Sequence, residues 1–107
     1  MVFFNKSALE DIEQIFIGLL EWHTKDNNQL RMTFDEVWNY REALFNIGNS
    51  LDTLSYDAET QYEIHKQYGK FVYRYNKNQR TQWYFIYNKI CEDVFINKII
   101  SNYMTYI

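Results

Sequence analysis

The sequence predicts an α+β fold, an N-terminal helical hairpin packed on one face of a curved antiparallel sheet, from three observations. Hydrophobic residues recur with a period near 3.6 in the first half, and the period changes to 2 after Asp57. Two capping patterns, Ser7 with Glu10 and Thr33 with Glu36, each stand just before an apolar stripe. The alternating stretches of the second half are joined by short polar links, as in an antiparallel meander. A chain of 107 residues with 47% hydrophobic side chains can bury one core, so a single domain over residues 1–107 is expected.

Taken in order, Val2 to Asn5 reads as an edge strand. Leu9, Ile12, Phe16, Leu19 and Leu20 then fall on one helical face, predicting a helix over residues 8–23. Thr24 to Gln29 is a polar turn. Phe34, Val37, Trp38, Leu44, Phe45, Ile47, Leu51 and Leu54 carry a second, antiparallel helix from residue 33 to about residue 55. Residues 60–66 alternate less cleanly and would add at most one more strand. Phe71, Tyr73 and Tyr75 alternate with Lys70, Val72, Arg74 and Asn76, and Asn76 to Gln79 turns the chain. Trp83 to Tyr87 is a nearly continuous apolar strand, residues 88–93 turn again, and Val94 to Ile100 is the last long strand.

Charge divides along the same boundary. Residues 1–61 carry four Lys/Arg against eleven Asp/Glu, and residues 62–107 carry seven against three, a split that the formal net charge of -3 conceals. A basic half rich in aromatic residues suits contact with a polyanion, with the acidic half as scaffold or steering field. The aromatic share of 20%, like the abundance of Asn, Ile, Lys and Tyr and the lack of proline, also fits the bias of an AT-rich coding sequence.

Other classes are excluded. Three separated glycines, Gly18, Gly48 and Gly69, build neither a P-loop nor a dinucleotide-binding loop. His23 and His65 stand alone, and Cys91 has no second thiol, so no metal, cofactor or internal disulfide is expected. Cys91 reads as a half-buried residue at a strand end or turn. Without a long uncharged apolar run or a signal-peptide core, a cytoplasmic chain with no membrane partner is expected.

Short strand, helical hairpin and meander together resemble the RelE/ParE-like toxins of bacterial type II toxin–antitoxin systems. The resemblance is carried by Gly69-Lys70-Phe71-Val72-Tyr73-Arg74-Tyr75, by Trp83-Tyr84-Phe85-Ile86-Tyr87 in place of the family's central strand, and by the ending Asn97-Lys98-Ile99-Ile100-Ser101-Asn102-Tyr103. It implies a toxin held inactive by a cognate antitoxin encoded beside it. Many relatives are metal-free endoribonucleases that cleave mRNA on the ribosome, using basic residues and a Tyr or His at the end of the last strand. The ParE branch instead poisons DNA gyrase without catalysis. Because both share one fold, the fold does not choose between them. A third reading is a degenerate member that only binds an antitoxin-like peptide.

Metal-free RNA cleavage needs a 2′-hydroxyl deprotonated, phosphorane charge stabilised and a leaving oxygen protonated. Arg74 is the first candidate for the phosphate, since guanidinium grips phosphate with a fixed fork, and Arg80, entering the central strand, is the second. Through the resemblance, Tyr103 is the candidate for proton transfer or base stacking. Lys70, Lys98 and Asn102 are candidate RNA contacts on the same surface. Each has a plainer reading: strand Arg and Lys as a solvated face, and Tyr103 as packing for the C-terminus. The chain departs from the RNA-cleaving pattern in having Trp83 and Tyr84 where relatives carry an arginine, and no histidine near its end. His65, a possible base, reads as solvent-facing. The antitoxin is expected to bring an acidic or amphipathic segment to residues 70–80 and 98–103, where an exposed apolar strip should accompany the cations.

Overall fold

The computed structural model describes residues 1–24 and 33–102. Strand β1 (Val2–Phe4) leads into helix α1 (Lys6–Thr24), and helix α2 (Phe34–Asn49) follows, closed by a 3-10 turn at Leu51–Thr53. A one-turn helix α3 (Glu63–Lys66) precedes the meander of β2 (Phe71–Asn76), β3 (Gln82–Ile90) and β4 (Asp93–Ser101). The strands form one sheet in the order β1-β4-β3-β2. The class is α+β, as the periodicities predict, but the sheet is mixed, because β1 joins β4 in parallel while the other pairs are antiparallel. Among the described residues no helix is long and apolar enough to cross a membrane.

Both helix starts follow local chemistry, in one case not the expected one. At α2 the Thr33 side chain accepts the Glu36 N–H at 3.2 Å, the predicted cap. At α1 the carbonyl of Asn5 accepts the Ala8 and Leu9 N–H groups, while the Ser7 hydroxyl donates to the Asn97 carbonyl and is spent on the sheet. The predicted Ser7–Glu10 capping box is replaced by this tertiary contact. Helix α2 stops at Asn49, short of residue 55, where Ser50 and Thr53 hydroxyls donate to the carbonyls of Ile47 and Ser50 and tighten the chain into the 3-10 turn. The polar turn at residues 25–29 lies outside the described residues.

Residues 60–66 do not form a strand. Glu59 makes a single bridge with Phe71, and the chain then turns through α3. The first turn of the meander runs over residues 77–81, later and longer than predicted, whereas the second is tighter. Asn78 closes the first with its side-chain oxygen, which accepts the N–H groups of Arg80 and Thr81 at 2.9 Å each. In the second, β3 and β4 run to Ile90 and from Asp93, leaving a two-residue link in which Cys91 has φ 58°. Cys91 is exposed rather than half-buried, since the turn points it away from the sheet.

The inner face of the sheet carries the core. Trp83, Phe85, Tyr87, Val94, Ile96 and Ile99 pack against Ala8 and Ile12 of α1, Leu44 of α2 and Leu51. Gly48 lets α2 come this close, since a Cβ there would lie 2.5 Å from the Phe4 ring and 3.1 Å from Ile96. The large polar groups on this face are paired. The Trp83 ring N–H donates to the Tyr40 hydroxyl at 2.7 Å, and the fully buried Tyr87 hydroxyl donates to Asp57 at 2.6 Å. Lys89 adds a 3.0 Å contact to Asp57. Burial raises the Tyr87 pKa, and the Asp57 carboxylate beside it raises it further. For Asp57, burial acts upward, but the hydrogen bonds from Tyr87 and Lys89 outweigh it and hold the carboxyl below its ordinary value.

A bulge at Asn97 decides which way β4 points. Tyr87 pairs with Ile96 but Ile86 with Lys98, so Asn97 is the extra residue and the core positions shift from 94 and 96 to 99. Without it, alternation would turn Lys98 into the core. The bulged residue also ties three segments together. Its side chain accepts from Asn5 and donates to the Tyr68 carbonyl at 2.8 Å, and its own carbonyl receives Ser7.

Candidate nucleic-acid interface

Strand β2 and the turn after it hold the surface of interest. Phe71, Tyr73 and Tyr75 pack against the core, so Arg74 takes the opposite face, exposed, opposite Tyr84 of β3, which in turn faces Ile100 of β4. Lys70 has the same parity as Arg74, and at about 3.3 Å per residue the two lie roughly 13 Å apart along the strand. Arg80 is exposed in the turn before β3 rather than within the central strand.

Pairing separates these cations from the rest. Lys6, Arg41, Lys66, Lys89 and Lys98 each stand within ion-pair distance of a carboxylate. Among the described residues, the Lys and Arg side chains with no such partner are Lys70, Arg74, Lys77 and Arg80, all exposed and all within eleven consecutive positions. Two of them rest on aromatic rings: the Lys70 ammonium lies 5.3 Å from the centre of Phe71, and that of Lys77 lies 4.8 Å from the centre of Tyr40. A shallow depression of about 480 Å³ opens beside Lys70, lined also by Glu59, Lys66, Gln67 and Asn88. This run can meet a chain of phosphates without first breaking an internal ion pair.

The remaining predicted residues are placed differently. Lys98 is on the same outer face, but its ammonium is 2.9 Å from Asp11 and 5.4 Å from the centre of the Tyr68 ring. Asp11 also accepts the Ile99 N–H at 3.0 Å, closing the edge of β4 where β1 has ended. Lys98 therefore helps seat α1 on the sheet. Asn102 accepts the Gln82 N–H and donates to the Arg80 carbonyl, both at 3.0 Å, and so fastens the Arg80 turn to the end of β4. Tyr103 lies outside the described residues.

His65 contradicts its solvent-facing reading. It is 1% exposed, with its ring 4.8 Å from Tyr84 and 5.4 Å from Tyr62, and neither ring nitrogen has a hydrogen-bond partner. Burial lowers its pKa, so it is neutral at pH 7. In this position it cannot touch a substrate and act as base. Among the described residues no group of three or more His, Cys, Asp or Glu could hold a metal ion.

The expected apolar strip also falls elsewhere. Ile17, Phe34 and Trp38, each more than 40% exposed, lie on the helical hairpin, where the Phe16 ring bridges to Phe34 and Trp38. Arg41 lies 4.9 Å from the centre of Trp38 and is paired with Glu13 and Glu42. The reason is the capped, amphipathic α2, whose apolar face is wider than the core it can reach. In comparisons with known proteins, no family model, no curated protein and no solved structure matches this chain.

Proposed function

We propose that the chain is the toxin of a RelE/ParE-like toxin–antitoxin pair, and that it engages RNA through β2 and its turn. The observation that carries this is the run of unpaired cations at Lys70, Arg74, Lys77 and Arg80, set among aromatic residues on a sheet whose other cations are neutralised. The order of short strand, helical hairpin and antiparallel meander supports the family reading. Arg74 contacts phosphate, Arg80 adds charge from the turn that Asn102 holds, and Tyr103 is the remaining catalytic candidate for metal-free cleavage of mRNA on the ribosome. The antitoxin takes the apolar strip at Ile17, Phe34 and Trp38. The carboxylates of Glu21 and Asp35, which have no ion-pair partner among the described residues, favour a segment that is amphipathic and basic rather than acidic.

One observation favours a second reading, a toxin that binds its target, gyrase included, without chemistry. Lys98 and Asn102 are engaged in holding the fold, and His65 is buried, so among the described residues no exposed histidine and no carboxylate within ion-pair distance accompanies Arg74. Induced expression of the chain alone separates the two. Cleavage predicts growth arrest with new 5′ ends in translated messages by primer extension, lost in Arg74→Ala and reduced in Tyr103→Phe. Arrest without new ends, accompanied by inhibited supercoiling, supports the binding toxin, and unimpaired growth removes both.

A further inference from the structure

Among the described residues, the fully inaccessible side-chain nitrogens and oxygens without a hydrogen-bond partner are the two ring nitrogens of His65, an uncommon arrangement in a folded protein. The segment around His65 explains where it acts. Residues 61–68 form a flap over the outer face of the sheet. Thr60 staples the base of the flap, its hydroxyl reaching the Gly69 and Lys70 carbonyls at 3.0 and 3.2 Å. Thr60 N–H donates to the Lys70 carbonyl and Val72 N–H to the Ala58 carbonyl, fixing both sides of that base. Gly69 lies against β3 so tightly that a Cβ would be 3.0 Å from the Tyr87 carbonyl and 3.1 Å from Ile86. Beyond the staple, the flap is held by His65 against Tyr84, Tyr68 against Lys98, and the Asn97 bond to the Tyr68 carbonyl.

We propose that this flap is an acid-sensitive cover for the outer face of the sheet, released when His65 takes up a proton. The surroundings offer that proton nothing. From β3, the ring meets Tyr84. From β2, Arg74 shares that face opposite Tyr84, and from β4 the face carries Lys98, whose charge Asp11 already answers. On the flap itself, Tyr62 is the ring neighbour and Glu63 and Lys66 pair with each other at 3.5 Å in solvent. A charged imidazole would be buried on a face shared with two cations and without an acceptor, and it relieves this by swinging out with its short helix. The sign follows from burial. A histidine whose folded pKa lies below its ordinary value near 6.5 leaves the docked flap fully stable above that value, and stability falls as pH drops through it toward the folded pKa. Release uncovers Tyr84 and Ile86 beside Arg74. The inference stands whether or not the chain acts on RNA.

Nuclear magnetic resonance on the intact chain tests it, with His23→Gln so that His65 is the one imidazole observed. The amides of Lys66 and Tyr68, which donate to the Tyr62 and His65 carbonyls, report the flap, and that of Phe85, in the strand between β2 and β4, reports the core. Corrected for intrinsic exchange, flap protection should fall about tenfold for each pH unit below the ordinary histidine value, until the folded pKa is reached, while core protection holds. His65→Phe should keep flap protection constant over the same range. An imidazole that titrates at its ordinary value overturns the proposal, as does a flap that loosens equally in His65→Phe. If that variant does not fold, the imidazole titration and flap exchange of the His23→Gln chain decide the matter alone.

Discussion

The two faces of the sheet are built on opposite terms. On the inner face two helices cover the strands, and the two large polar side chains buried there have partners: Tyr87 with Asp57, Trp83 with Tyr40. On the outer face one short flap covers Ile86 and buries a histidine with no partner, and beside it β2 presents Arg74 to solvent. The difference assigns stability to one face and recognition to the other. Pairing of charge follows the same division. Carboxylates are placed where cations must be held still, as with Asp11 on Lys98, and among the described residues none comes within ion-pair distance of Lys70, Arg74, Lys77 or Arg80.

Substitutions should respect this division. Asp57→Ala strands the buried Tyr87 hydroxyl and should cost about 2–3 kcal/mol in urea unfolding at pH 7. Because the Asp57 carboxyl is held below its ordinary value, its contribution is present above the unfolded carboxylate pKa and is lost as pH falls through the folded one. The gap between wild type and Asp57→Ala should therefore narrow below about pH 4. Gly48→Ala, which forces a methyl group toward Phe4 and Ile96, should cost about 1–2 kcal/mol in the same measurement. Arg74→Ala should change stability by less than about 0.5 kcal/mol. Destabilisation by Arg74→Ala as large as that by Asp57→Ala would break the division of labour.

Legibility in the sequence followed the range of the interactions. Periodicity and the Thr33–Glu36 cap are local, and they locate α1, the start of α2 and all three strands of the meander to within a few residues, but not the end of α2, which stops at Asn49 instead of about residue 55. The alternation of Phe71, Tyr73 and Tyr75 likewise places Arg74 outward. What the sequence hides is set by contacts distant along the chain. Ser7 and Asn97 are 90 residues apart, and Asp11 and Ile99 are 88 apart, so neither the altered start of α1 nor the capped edge of β4 leaves a local mark. Parallel pairing of β1 is hidden for the same reason. The bulge at Asn97 has a trace in hindsight, because apolar positions 94, 96 and 99 break strict alternation. Lys98 and Asn102 look like surface groups in the sequence, and only their distant partners, Asp11 and the residue 80–82 backbone, reveal them as structural.

The most direct measurement is the salt dependence of binding to single-stranded RNA, followed by fluorescence anisotropy for wild type and for the variant with Lys70, Arg74, Lys77 and Arg80 all changed to Ala. Each phosphate contact should contribute about 0.7 to the slope of log K against log salt, so loss of three to four contacts should flatten it by about 2–3. The unfolding midpoint in urea should stay near that of wild type. Equal slopes for the two proteins, or no salt-dependent binding by wild type, would contradict the assignment of β2 and its turn as the RNA-facing surface.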